Sequence, residues 1–232
     1  MNTYLKCTMK SLLAGVALLG LTSVAGAAAI VSVYDGVNPL ISVGDNGPGD
    51  YNLSTGTISV ITNVGVHSLV TATATTKPAI GSGTAPQMNI HITDTTSAAG
   101  SLRVVFSESG FGPFTGNLPF TMVGTVVGSG PATVTYSLYY NSANVLGATT
   151  TLIGSPDTTT LPNPASGSGL VTLGAPYSLT EVIQITMDAA DTVDLTASFP
   201  MVAAVPDGGM TVALLAMSLV MVETVRRKKA KA

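Results

Sequence analysis

Residues 132–140 read Ala-Thr-Val-Thr-Tyr-Ser-Leu-Tyr-Tyr. In an extended chain Val134, Tyr136, Leu138 and Tyr140 fall on one side and Thr133, Thr135, Ser137 and Tyr139 on the other. Side chains alternate across a strand with a period of two, so such a stretch can bury one face and leave the other in water. Met88-Asn89-Ile90-His91-Ile92-Thr93 repeats the pattern, with Met88, Ile90 and Ile92 opposed to Asn89, His91 and Thr93.

Working outward, short β-branched runs are broken by Gly, Pro, Asn and Asp, the rhythm of an antiparallel all-β domain. Strands are predicted at 30–34, 57–62, 69–75, 88–93, 101–107, 120–127, 132–140, 145–152, 170–173, 179–187 and 192–199. Loops are predicted at 44–49, 109–119 and 154–169, the last rich in Ser, Pro and Thr. The expected fold is an antiparallel β-sandwich, with jelly-roll and immunoglobulin-like arrangements as alternatives. An N-terminal signal helix and a C-terminal transmembrane helix are expected to flank it.

The charges point to export. Seven of the nine Lys and Arg residues lie at the chain ends, leaving Lys77 and Arg103 between. Residues 28–204 carry ten acids against those two bases, a formal net charge of −8. Nucleic acid is excluded as a partner for such a surface. Lys6 and Lys10, the apolar run 11–21 and the small residues after it form a secretory signal, with cleavage expected after Ala27. The chain's one cysteine, Cys7, precedes that run, so the exported domain at 28–204 has no disulfide to hold it.

Patterns of catalysis are missing: no Gly-x-Ser-x-Gly elbow, no phosphate loop, no paired histidines at helical spacing. The domain is read as non-enzymatic. His67 and His91 are its histidines, and Asp94 follows His91 by three residues; acids gathered around either histidine in a concave pocket would instead favour a secreted hydrolase. Asp45-Asn46-Gly47-Pro48-Gly49-Asp50 sets oxygen side chains on a glycine-rich loop. Calcium needs several such oxygens, which makes Asp45 and Asp50 candidate ligands, while the same residues also build a plain turn. Asp188 and Asp191 read as the turn between the last two strands. Tyr139, Phe111 and Phe114 are candidates for a sugar-stacking platform.

The chain's last residues carry the clearest signal. Val205-Pro206-Asp207-Gly208-Gly209 is followed by an apolar segment at 210–225 and by Arg226, Arg227, Lys228, Lys229 and Lys231 in a tail spanning 226–232. As a helix the apolar segment is roughly 24 Å long, short of the roughly 30 Å hydrocarbon core but within what a locally thinned bilayer accommodates. The basic cluster holds the tail in the cytoplasm and leaves everything before Val205 outside. Pro206 and the two glycines make an extended hinge that a processing enzyme can reach.

This layout resembles the PEP-CTERM class of sorting signals, and most closely its Val-Pro-Asp-Ser-Gly variant, from which it departs at Gly208. The resemblance implies export through the secretory translocon, removal of the leader by signal peptidase, and tethering to the inner membrane of a Gram-negative bacterium. An exosortase, a transpeptidase-like membrane enzyme, would then read the motif, with cell surface or extracellular matrix as the destination. Val33-Tyr34-Asp35-Gly36 and residues 106–113, Phe-Ser-Glu-Ser-Gly-Phe-Gly-Pro, are similar to exported domains that carry such tails, a similarity that implies no activity. The expected function is a structural or adhesive surface protein without a cofactor. A module for extracellular polysaccharide or calcium is the alternative.

Overall fold

A computed structural model of the chain describes residues 28–35, 38–128 and 130–199. The leader at 1–27, the motif Val205 to Gly209, the apolar segment 210–225 and the basic tail lie outside the described residues. Among the described residues there is no helix. Twelve strands occur: β1 (Ala29–Asp35), β2 (Asn38–Gly44), β3 (Thr57–Val64), β4 (His67–Thr75), β5 (Met88–Thr96), β6 (Gly100–Phe111), β7 (Phe114–Val127), β8 (Ala132–Asn141), β9 (Thr151–Thr160), β10 (Ala165–Leu173), β11 (Tyr177–Met187) and β12 (Thr192–Phe199).

They form two six-stranded sheets, one ordered β2-β1-β6-β11-β8-β9 and the other β10-β7-β12-β5-β4-β3, with every neighbouring pair antiparallel. The last eight strands pair in nested fashion, β5 with β12, β6 with β11, β7 with β10 and β8 with β9. A two-stranded ribbon therefore passes back and forth between the sheets. One of its corners shows how. β6 ends at Phe111 and β11 begins at Tyr177, and their rings stack at 5.6 Å. Gly112 and Pro113 then carry the chain across, and β7 begins at Phe114 opposite Leu173 of β10 in the other sheet.

Period-two alternation decides what lies between the sheets. Leu102, Val104 and Phe106 of β6, Ile183 and Ile185 of β11 and Tyr136 of β8 meet Ile90, Ile92, Phe120 and Leu195 from the opposite sheet in one hydrophobic cluster. The sheets also close along one side, where edge strands β9 and β10 pack together.

Three readings of the sequence are corrected. Strand β2 was not expected. Residues 109–119 and 154–169, expected as loops, are mostly strand, because β6 and β7 run almost to the corner and β9 and β10 pair with β8 and β7. Residues 145–150, expected as strand, belong to a connection folded over the outer face of the first sheet. There Gly147 N donates to Ser107 Oγ at 2.9 Å and Ser178 Oγ donates to the Val145 carbonyl at 2.7 Å. That cover buries Ser107, Ser178 and Thr180 on what would otherwise be a wet face.

Candidate functional site

The ends of the two-sheet body differ. Ala29 at the start of β1, Phe199 at the end of β12, and the β2–β3 and β4–β5 connections share one end. An open pocket of about 460 Å³ lies there, lined by Asp45, Thr55, Lys77, Pro78, Gly81, Ser82 and Gly83. Its floor is polar. Lys77, just past β4, reaches into the body so that Nζ donates to Glu108 Oε1 at 2.6 Å and to the Ser109 carbonyl at 2.7 Å. The same nitrogen stands 3.9 Å from the centre of the Phe111 ring. The other carboxylate oxygen of Glu108, Oε2, accepts from Thr76 Oγ1.

Glu108 is buried because it shares the inward phase of Leu102, Val104 and Phe106 along β6. Taking a carboxylate out of water disfavours its charge, and burial pushes Glu108 up to about 7 against the pull of Lys77. Burial likewise lowers Lys77, with Glu108 opposing the shift. Both partners are thus driven toward their neutral forms while held in contact.

Asp45 lines this pocket, and Asp50 belongs to the same β2–β3 connection. Asp45 Oδ2 accepts from Gly56 N at 2.9 Å and Oδ1 from Asn46 Nδ2 at 3.1 Å. Asp50 Oδ1 accepts from Asn52 N and Ser59 N, and Oδ2 from Asn46 N, each at 2.9 Å. Such bonds are the ordinary work of aspartates in turns. Among the described residues no group of three His, Cys, Asp or Glu is placed to share a metal ion. Gly56, next to Thr55, has φ +84°, and an added Cβ there would come within 2.9 Å of the Thr76 and Lys77 carbonyls and of Ala79 N. Gly56→Ala is therefore expected to cost more than about 1 kcal/mol in thermal unfolding, and an unchanged melting temperature would contradict the geometry.

The histidines are elsewhere. His67 is sealed from solvent, its Nδ1 2.9 Å from both oxygens of the equally buried Asp94. Burial opposes the imidazolium, but the Asp94 bond and charge outweigh it and the pKa is raised. His91 lies on the outer face of the second sheet, 3.1 Å from Asp194. Neither histidine lines the pocket, and Asp94 partners His67 rather than His91. At the turn between the last two strands, Asp191 accepts from Gly130 N at 3.0 Å.

The candidate aromatic platform is not assembled, and its members are buried or half-buried, the ordinary state of such residues. Phe111 is buried on Tyr177, Phe114 is half-buried at the start of β7, and Tyr139 is half-buried on β8, so the three do not form one surface.

A third buried pair sits in the middle of the core. Glu181 of β11 is fully enclosed and its Oε1 accepts from Tyr136 Oη, while Oε2 has no hydrogen-bond partner among the described residues. Burial pushes Glu181 up to about 8 even though the Tyr136 bond pulls the other way. Sequence reasoning missed both Glu108 and Glu181, yet each sits in phase with core residues on its strand. Comparison of the chain with protein-family models and with curated proteins finds no match to either.

Proposed function

We propose that the chain is an exported protein of the cell surface or extracellular matrix, with a structural or adhesive role. Its β-domain is read as a jelly-roll sandwich extended by strands β1 to β4, the reading that suits the nested pairing of β5 to β12 better than an immunoglobulin-like one. Delivery follows the tail: the motif at 205–209 is read by an exosortase while the apolar segment and basic cluster hold the chain at the inner membrane.

The observation that carries the adhesive side is the outer face of the second sheet. Thr57, Thr71, Thr73, Thr75, Thr93 and Thr196 stand in register across β3, β4, β5 and β12. In their midst His91 Nε2 stands 3.1 Å from Asp194 Oδ1. A broad, hydroxyl-bearing sheet face suits contact with neutral polysaccharide. The described chain also begins and ends at one end of the body, so a tether there leaves this face open.

The test fuses residues 201–232 to a secreted reporter in an exosortase-bearing host. The reporter should first be retained at the membrane and then processed; replacement of Val205 to Gly209 by alanine should abolish the processing. An unchanged fate for the replaced motif would sink the sorting claim. Removing the basic cluster should let the tail slip through the membrane.

A further inference from the structure

We propose that Lys77 and Glu108 condense into an intramolecular amide that staples the two sheets together. Lys77 follows β4 in one sheet and Glu108 belongs to β6 in the other, so the bond would cross the interior at the end where the described chain begins and ends. The inference does not depend on how the tail is read.

The geometry supplies what the reaction needs. With Nζ 2.6 Å from Oε1, the amine stands close to the roughly 3–3.5 Å near-attack range of the carboxyl carbon, one bond further on. The ammonium first passes a proton to Oε1, leaving a free amine beside a carboxylic acid, the state that burial of both groups favours. The Nζ lone pair then attacks Cδ. As the Nζ–Cδ bond forms, charge develops on Oε2, where the Thr76 hydroxyl already donates. The second amine proton moves to Oε1, the Cδ–Oε1 bond breaks, and Oε1 departs as water. Oε2 remains as the amide oxygen. No oxidant, metal or other reactant enters.

The reacting carboxyl is shielded, while Lys77 borders the open pocket through which the released water can leave. Glu108 is 1% exposed and the Lys77 side chain 10%, with the Phe111 ring over the nitrogen. Fixed contact of this kind raises effective concentration by orders of magnitude over that of free groups in solution. The link also answers a need, because residues 28–204 hold no cysteine and a disulfide is absent from that span.

Intact-mass spectrometry of the denatured, secreted protein, its two termini fixed by peptide sequencing, decides it. The expected mass is lighter than the sequence requires by one water. Proteolysis should release a branched peptide joining the Lys77 and Glu108 segments. Lys77→Arg, which keeps the cation but cannot form this amide, should return the full mass, and Glu108→Gln should condense with loss of ammonia instead. Wild-type protein at its full mass after prolonged incubation in the folded state would overturn the proposal. So would a lost water mapped to any other residue pair. Because the branched peptide is sought in the wild type, the test holds even where a variant fails to fold.

Discussion

As the pH climbs from about 4.5 to about 8, the folded domain is expected to lose on the order of 5 kcal/mol of stability through Glu181 alone. The cause is burial between the sheets, where Tyr136 Oη is the partner of one carboxyl oxygen and the other has none among the described residues. In the unfolded chain Glu181 ionises near its ordinary value of 4.5; in the folded one it holds its proton up to about 8. A group whose folded pKa is raised contributes stability that is complete below the unfolded pKa and is lost as the pH rises through the folded one. Denaturant unfolding at a series of pH values should show this decline. Glu181→Gln keeps the shape and removes the titration, so its profile should be much flatter. Glu108, held up to about 7, and His67, also raised, add losses of the same sign that survive in the variant, so the difference between the two profiles reads Glu181. Wild-type stability that is level from pH 4.5 to 8, or a variant with the wild-type slope, would show that Glu181 is not held neutral.

The phase of this residue was legible in the sequence. Leu179, Ile183 and Ile185 alternate along β11 with Glu181 among them, just as Glu108 follows Leu102, Val104 and Phe106, and Asp94 follows Ile90 and Ile92. Three carboxylates in phase with core residues announce three buried acids. Their partners were not legible in the same way. Lys77 comes from a connection, and His67 sits beyond a shift in strand register at the start of β4, where period two fails. Pairings between the two sheets depend on which strands become neighbours, and nested pairing leaves no trace in local pattern.

The same contrast explains the strands. Clean alternation at 88–93 and 132–140 marked β5 and β8 because each has one wet and one dry face. β10 was largely missed because Ala-Ser-Gly-Ser-Gly at 165–169 looks like a loop. It is an edge strand whose glycines make room for the opposing core. β7 hides Pro119, which supplies no amide proton, within its run opposite β10. The 145–150 stretch has strand-like composition, but its backbone is spent on Ser107 and Ser178 over the first sheet.

The room made by β10 sets up the second large effect. Phe120 of β7 is fully buried, lies directly opposite Gly167 in the β7–β10 pair, and meets Tyr136 of the facing sheet edge-on at 5.3 Å and 85°. An added Cβ at Gly167 would stand 2.3 Å from Phe120 Cζ, so the ring occupies the space that a side chain would otherwise fill. Phe120→Ala is therefore expected to cost about 3–5 kcal/mol, since the removed ring leaves a cavity that two paired sheets cannot collapse. Phe120→Leu should cost less because it refills part of that volume. Gly167→Ala should destabilise from the other side by forcing the ring off its position, and combining it with Phe120→Ala should cost less than the two losses added, because the smaller residue relieves the clash. The cavity would also open beside Tyr136, which holds Glu181. Phe120→Ala should thus lower the pKa of Glu181 by admitting water, and so shrink the loss of stability between pH 4.5 and 8. Chemical denaturation of the wild type and these variants at both ends of that range reads all of these quantities. Additive losses for Phe120→Ala and Gly167→Ala would show that the ring does not rest on the glycine, and an unaltered pH slope in Phe120→Ala would separate Glu181 from the packing around it.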